Sequence, residues 1–192
     1  FKKIEDHNNR VSKIVKTLLS FARNPADPAF HRVDLKDSLE EIISLIDYRL
    51  KSLNINLALD LKQVIIYAQK ERLQQVFINI ILNALDAMPG GGQLSIQTRQ
   101  QDGQAIIKIS DTGLGIKPEH LPRIFDPFFT TKGIGKGTGL GLSISFAIIK
   151  EHEGQILVDS QVGQGTTFTI ILPVSLAEKD LKQSRRGGID HE

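Results

Sequence analysis

The chain carries four glycines at every second position, and they run directly into an apolar stretch. The glycines are Gly135, Gly137, Gly139 and Gly141, and the apolar stretch covers residues 142–149. Glycine lets a backbone approach a ligand closely, and a glycine loop that opens a helix directs unpaired N–H groups and the positive end of the helix dipole at one point. The pattern therefore predicts a phosphate-binding loop. For glycines alone, a flexible surface loop before a helix is an equal alternative.

The spacing of these glycines excludes two familiar phosphate-binding motifs. The P-loop motif G-x-x-x-x-G-K-[ST] is missing, because Lys132 follows a threonine and Lys136 is followed by a glycine. There is also no G-x-G-x-x-G fingerprint after a predicted strand. The two lysines nevertheless place positive charge beside the glycines, which suits an anionic ligand.

Composition narrows the class of protein. The 192 residues suffice for one full domain with an appendage, and the hydrophobic content of 40% supports a packed core. A net charge of +2 indicates no polyanion-binding surface, so no nucleic-acid partner is expected. There is no cysteine, which excludes disulfides and thiolate metal sites, and no apolar run approaches the ~18 residues of a membrane span.

The start of the sequence indicates a piece of a longer protein. The chain begins at Phe1, inside a helical pattern, and shows no signal peptide. We expect a cytoplasmic location, with membrane attachment of the parent protein left open.

Periodicity divides the chain into four parts. Residues 1–24 carry apolar residues at heptad spacing, which predicts a helix that packs on a partner helix; packing on its own domain is the alternative. A linker is expected over 25–32, an α/β domain over 33–174 and a polar tail over 175–192.

The expected domain is a mixed sheet covered on one side by helices. Apolar spacing predicts one helix from Asp34, as its N-cap, to about Leu53, a second one around 73–85 and a third one that ends near Lys150. The predicted strands lie around 55–59, 64–67, 94–98, 105–109, 156–158 and 167–172, with a hairpin turn at 102–103.

Four short patterns could carry chemistry. Asn79 and Asn83 are four residues apart on a predicted helix, so they share one face; they are either two ordinary surface amides or a source of oxygen for Mg²⁺. Asp111 opens an Asp-x-Gly-x-Gly segment at a strand end, which suits an acceptor for an exocyclic amine or a plain turn. Phe125 starts an aromatic cluster that could be core, and the Gly-x-Gly before Thr166 could be a hairpin turn.

The order of these patterns is more specific than any one of them. Asn-x-x-x-Asn, Asp-x-Gly-x-Gly, Phe-x-Pro-Phe, the glycine loop and Gly-x-Gly-Thr follow one another along the chain. In this combination the chain strongly resembles the catalytic, ATP-binding domain of bacterial sensor histidine kinases, whose N, G1, F, G2 and G3 boxes these patterns match. Residues 83–88 and 128–132 look most like the nitrogen-regulation subgroup. The fold that the resemblance implies is the two-layer sandwich shared with gyrase and mismatch-repair ATPases.

The resemblance also implies roles for individual residues. Asn83 would hold Mg²⁺ at the phosphates of ATP, with Asn79 beside it and Lys132 as a cation of a mobile lid over 125–137. Asp111 would accept a hydrogen bond from the adenine amine, and Thr166 would help through a water. The implied nucleotide contacts are Asp111, Gly113, Gly115, Phe125, Gly135, Gly137, Gly139, Leu140, Gly141 and Thr166. Such an inventory suits phosphoryl transfer, which needs mainly positioning and charge neutralisation.

The sequence departs from the family pattern at the phosphate acceptor. The family's acceptor is a histidine in a helical dimerisation hairpin, and His7 lacks the flanking residues that mark it. Residues 1–24 instead look like the second helix of that hairpin. The resemblance therefore implies transfer of the ATP γ-phosphate to a histidine outside this chain. The implied partners are the parent's own hairpin, a response regulator protein and a second copy of the parent in a homodimer.

Three other functions remain open at this point. Gyrase-type ATPase clamps resemble this chain but usually carry Glu where Asn79 stands; a carboxylate can act as a general base on water and an amide cannot. A serine kinase of the anti-sigma type is a nearer rival, which the heptad helix over 1–24 disfavours. A non-enzymatic nucleotide-binding scaffold would be expected to show eroded motifs, whereas these are intact.

Overall fold

A five-stranded mixed sheet forms one layer of the computed structural model, which describes residues 29–132 and 137–174. The strands of this sheet lie in the order β2 (Ile55–Leu61), β4 (Gly92–Gln101), β5 (Gln104–Asp111), β7 (Gly165–Pro173) and β6 (Gln155–Gln161); β2 is parallel to β4, and the other neighbours are antiparallel. The helix predicted over 1–24, the tail over 175–192 and Gly135 lie outside the described residues.

Each of the three described helices is followed along the chain by two strands. The strands are β1 (His31–Asp34), β2 (Ile55–Leu61), β3 (Ile65–Ala68), β4 (Gly92–Gln101), β5 (Gln104–Asp111), β6 (Gln155–Gln161) and β7 (Gly165–Pro173). The helices are α1 (Leu35–Ser52), α2 (Lys70–Ala87) and α3 (Gly141–Glu151), with a short 3₁₀ turn at Leu121–Arg123. No helix in this described part is both long and apolar enough to cross a membrane.

The helices pack on one face of the sheet, as the alternation along the strands predicts. In β5, residues 105, 107, 109 and 111 are buried, and the residues between them are partly or fully exposed. The apolar face of α2 is buried in the same core, and α2 also packs against α3. Asp34 caps α1 by accepting a hydrogen bond from the Lys36 N–H at 2.9 Å. The predicted fold class, a two-layer α/β sandwich with a mixed sheet, is confirmed.

The strand β1 was not expected from the sequence. His31 and Arg32, which the sequence places in the linker, pair with β3 in a separate two-stranded antiparallel sheet. The strand has four residues, and only Val33 among them is buried. Such a short segment shows no alternation, so its conformation depends on a partner strand more than thirty residues away in the sequence.

A buried histidine joins the ends of two helices. His152 follows α3 and is only 2% exposed. The Gln69 N–H, just before α2, donates to His152 Nε2 at 3.1 Å. Because Nε2 accepts, the hydrogen of the neutral ring must be on Nδ1, which donates to the Ile148 carbonyl at 2.7 Å. The Phe30 ring packs against the imidazole with a centroid distance of 4.9 Å.

This burial predicts a pH dependence of stability. Burial lowers the pKa of His152 from its ordinary value of 6.5, although the Ile148 carbonyl and Glu151 oppose the shift. Below about pH 6.5 the unfolded chain therefore binds a proton that the folded protein does not, so the free energy of unfolding should fall as the pH drops from there to the folded-state pKa. Urea denaturation between about pH 8 and pH 5 measures this.

The variant His152→Gln provides the control, because it cannot titrate. The wild-type protein should lose more stability than this variant across the acidic range, whatever their difference at neutral pH. Parallel curves for the two proteins would contradict a buried neutral His152.

Candidate functional site

A cleft of about 850 Å³ lies between α2, the facing ends of β5 and β7, and the segments 124–132 and 137–144. Its volume is within the range of small-molecule sites, roughly 300–1,000 Å³. One side of α2 is packed in the core, and the other side presents Asn79 and Asn83 to the cleft.

Most of the predicted site residues meet at this cleft. Nine of them line it: Asn79, Asn83, Asp111, Gly115, Lys132, Gly137, Gly139, Gly141 and Thr166. Two others do not line it: the Gly113 N–H donates to the Asp111 carboxylate, and Phe125 packs on Phe146 with a centroid distance of 5.3 Å. Leu140 immediately precedes α3, where its carbonyl accepts from the Ile144 N–H at 3.0 Å.

The apolar lining of the cleft includes residues that the sequence motifs did not single out. Phe129, which belongs to the aromatic cluster that starts at Phe125, also lines the cleft, and the Arg123 guanidinium lies 4.9 Å from its ring centroid. Further apolar lining residues that the motifs did not single out come from α2, from the segment after β5 and from β7, among them Ile78, Leu82, Leu114, Ile116 and Phe168. Ile78 and Leu82 each directly precede one of the two asparagines on α2. This position is the one sequence feature that could have identified them as lining residues.

The carboxyl group of Asp111 is the most buried charge at the cleft. The residue is 8% exposed and lies opposite Leu94 on one side and Thr166 on the other. Loss of water raises the pKa of this carboxyl, while the backbone N–H groups of Gly113 and Thr166 oppose the shift. The Gly113 N–H donates to Oδ1 at 2.8 Å. Among the described residues no cation pairs with it, so the carboxylate suits a ligand that brings an N–H donor.

Asn79 and Asn83 have different partners. The Asn79 Nδ2 group donates to the Gly141 carbonyl at 3.2 Å, which holds the first turn of α3 against α2. The Asn83 Oδ1 atom accepts from Lys132 Nζ at 3.0 Å, and the same ammonium contacts Asp86 Oδ2 at 2.8 Å. The Asn83 amide oxygen thus already faces a positive charge at the cleft. An amide oxygen in this position is a suitable ligand for a hard divalent cation that takes its other ligands from phosphates.

The glycine segment places a helix start at the cleft. Because α3 begins at Gly141, the N–H groups of residues 141–143 have no acceptor within the helix. Gly139 has a φ of +68°, and a Cβ there would lie 2.3 Å from the Phe128 carbonyl carbon. Only glycine allows this close contact between the two segments. The start of α3 can therefore receive an anion.

Gly165 fixes the contact between β7 and Asp111. Its φ is +113°, and a Cβ would lie 1.9 Å from the Asp111 carbonyl oxygen. The strand can approach Asp111 this closely only because the residue has no side chain.

Comparison with known proteins relates this cleft to a family. Residues 68–176 match the family described as histidine kinase-, DNA gyrase B-, and HSP90-like ATPases. The chain is 39% identical, over 92% of its length, to the sensor kinase CckA of Brucella abortus (strain 2308). It spans 20% of the length of that relative.

Solved structures of histidine kinases have the same fold. The nucleotide-free catalytic domain of histidine kinase ThkA aligns with a TM-score of 0.69 and 30% identity, covering 76% of this chain and 97% of that one. ThkA in complex with the response regulator protein TrrA aligns with a TM-score of 0.74 and 26% identity, covering 92% of this chain and 51% of that one.

The geometry at Gly165 predicts an unequal effect of two alanine substitutions. Gly163 has a similar positive φ of +77°, but no atom lies within 4 Å of a Cβ there. Gly163→Ala should therefore cost only the backbone strain, roughly 1 kcal/mol. Gly165→Ala should cost about 3 kcal/mol or more, because backbone atoms of β5 must also move. Chemical denaturation of both variants measures the difference, and equal losses would contradict the tight contact between β7 and Asp111.

Proposed function

Since this chain belongs to the family of histidine kinase-, DNA gyrase B- and HSP90-like ATPases, we propose that its cleft binds Mg·ATP and delivers the γ-phosphate to a histidine of a partner helix. The observation that carries this proposal is the division of the cleft. A buried carboxylate lies at one part of the wall, and an amide oxygen, an ammonium group and a helix start lie at the other. The carboxylate suits the amine donor of a purine base, and the other three groups suit a polyphosphate with its metal ion.

Asp111 and Thr166 form the proposed adenine end. Both line the cleft, and the carboxylate of Asp111 is an acceptor without a cation partner in the described chain. Adenine offers an exocyclic amine as a donor, and its ring can pack against the apolar lining contributed by Ile78, Leu82 and Ile116.

The proposed phosphate end combines Asn83, Lys132 and the first turn of α3. Asn83 would hold Mg²⁺ through Oδ1, and bound Mg²⁺ would neutralise charge on the phosphates. Lys132 supplies a further positive charge, and Asn79 positions α3 through the Gly141 carbonyl. Gly137 and Gly139 also line the cleft beside these groups.

The presence of asparagine at position 79 favours transfer of the γ-phosphate to an acceptor residue over hydrolysis of ATP by water. Activation of a water needs a general base, and the Asn79 amide is not one. The carboxylates that line the cleft do not replace it. Asp111 is at the proposed adenine end. Asp86 is paired with Arg49 and Lys132, and Glu71 is eight residues before Asn79, about 12 Å along α2. An ATPase clamp is therefore the weaker candidate.

We also propose the partners that such a kinase requires. The acceptor would lie in a helical hairpin of the parent protein, which would act as a homodimer, and the phosphate would pass to a response regulator. The resemblance of residues 83–88 and 128–132 supports a nitrogen-regulation-like subgroup, and a cytoplasmic location fits the use of ATP.

Asn83→Ala should remove the effect of magnesium on ATP binding, because the variant loses the proposed oxygen ligand while the fold is retained. Calorimetric titration with ATP, in Mg²⁺ and in a chelator, measures this. Gln75→Ala is the matched control, since Gln75 is another amide of α2 that lines the cleft, and it should keep the magnesium effect. A full magnesium effect in Asn83→Ala would remove Asn83 from the ligand set.

The transfer reaction can be tested with radiolabelled ATP. The 192 residues contain no acceptor motif, so the chain alone should bind ATP without becoming labelled. A separate helical hairpin that carries the family's acceptor histidine should acquire acid-labile label when the chain is added. The rate should be low, because the hairpin is not tethered and its effective concentration is small. Label on the chain that is lost in His7→Ala, or phosphate release without an acceptor, would contradict the proposal.

A further inference from the structure

Ser160 belongs to a row of polar side chains that crosses three strands. It lies directly opposite Thr166 of β7, which lies opposite Asp111 of β5. Directly paired residues of neighbouring strands face the same side of a sheet, so the three side chains are on the face that the helices cover. Thr166 and Asp111 line the cleft, whereas the half-buried Ser160 lies behind them.

The Ser160 hydroxyl has three partners, and their chemistry fixes the direction of each hydrogen bond. The Ile116 N–H donates to Ser160 Oγ at 2.8 Å. The Gly165 carbonyl lies 3.0 Å from Ser160 Oγ, and Thr166 Oγ1 lies 2.9 Å from it. A hydroxyl has one hydrogen and two acceptor positions. Since a carbonyl can only accept, the hydrogen of Ser160 points to Gly165, and Thr166 must donate to Ser160.

The opposite arrangement is unfavourable. If Ser160 donated to Thr166, the Gly165 carbonyl would face Ser160 Oγ at 3.0 Å with no hydrogen between the two oxygens. Two lone pairs would then face each other in a half-buried place. Ser160 thus fixes the orientation of the Thr166 hydroxyl.

This arrangement leaves only acceptors on the Thr166 and Asp111 side chains. The hydrogen of the Thr166 hydroxyl is used on Ser160, and an ionised Asp111 carboxylate has no hydrogen to donate. A water held between these two side chains would donate both of its hydrogens to them. It would therefore also present a lone pair to the ligand. A 6-amino group can donate to such a wall, and a 6-oxo group cannot.

We propose that Ser160 is a specificity-determining residue that selects 6-aminopurine over 6-oxopurine nucleotides by holding the Thr166 hydroxyl as an acceptor. The proposal rests on the proposed nucleotide function of this cleft. Ser160 acts through Thr166 and touches no ligand itself, so it is a positioning residue.

If Ser160 only stabilised the local structure, its loss would affect nucleotide binding differently than if it orients the Thr166 hydroxyl. Ser160 also holds Ile116, which lines the cleft, through the hydrogen bond to its N–H. Loosening that segment would weaken every nucleotide to a similar extent. Loss of the fixed hydroxyl would instead change the ratio of two nucleotides that differ only in the base.

The experiment compares Mg·ATP and Mg·ITP, whose bases differ at the 6-position and the adjacent ring nitrogen. In Ser160→Ala the Thr166 hydroxyl is free to turn and donate to a 6-oxo group, so the ratio Kd(ITP)/Kd(ATP) should fall by about three- to tenfold. Ser160→Thr keeps a hydroxyl and should retain the wild-type ratio. Thr167→Ala is the matched control, because Thr167 Oγ1 donates to Ser110 Oγ at 2.9 Å on the opposite face of the sheet.

A double-mutant cycle keeps the test independent of folding losses. With Thr166→Val as the background, Ser160→Ala should leave the ratio unchanged, since no hydroxyl remains to be oriented. An unchanged ratio in Ser160→Ala, or the same fall in the Thr166→Val background, would overturn the role of Ser160. Absence of ATP binding to the wild-type protein would overturn the proposed function itself.

Discussion

The burial of one carboxylate constrains the whole cleft. Asp111 is a buried ionisable residue at the end of β5. Removing its carboxylate from water is costly unless hydrogen-bond donors replace the lost hydration. The donors are backbone N–H groups, which places strict conditions on the neighbouring chain. Gly113 must turn back onto the carboxylate, and Gly165 must pass within contact distance of the Asp111 backbone. Each of the two Gly-x-Gly motifs therefore supplies a glycine that packs around the buried Asp111.

The helix α2 has two faces with different tasks. Its apolar side is buried against the sheet and α3, which fixes the axis of the helix. Its polar side then presents Asn79 to the start of α3 and Asn83 to Lys132. The ion pairs that Asp86 makes with Arg49 and Lys132 are partly exposed, and pairs of this kind contribute about 1 kcal/mol or less. They serve mainly to position Lys132 at the cleft.

Several parts of the fold could be predicted because the interactions that specify them are between residues close together in the sequence. The helices and the β4–β5 hairpin follow from apolar periodicity, the Asp34 cap and the turn at 102–103, all of which a short window of sequence contains. β1 could not be predicted in this way, because its conformation depends on pairing with β3. Phe125 illustrates a related difficulty: the sequence left both core packing and a nucleotide contact open for it, and only the structure shows that its ring packs on Phe146.

By itself, the sequence determined the order of the polar motifs and the residues that could contact a nucleotide, since both follow from residue type and spacing. Only the tertiary structure decided how these residues act together. Ile116, Ser160 and Thr166 are far apart or on different elements, and the register across β5, β7 and β6 brings them into one hydrogen-bonded group. The direction of those hydrogen bonds depends on three contacts at once, which no spacing along the chain encodes.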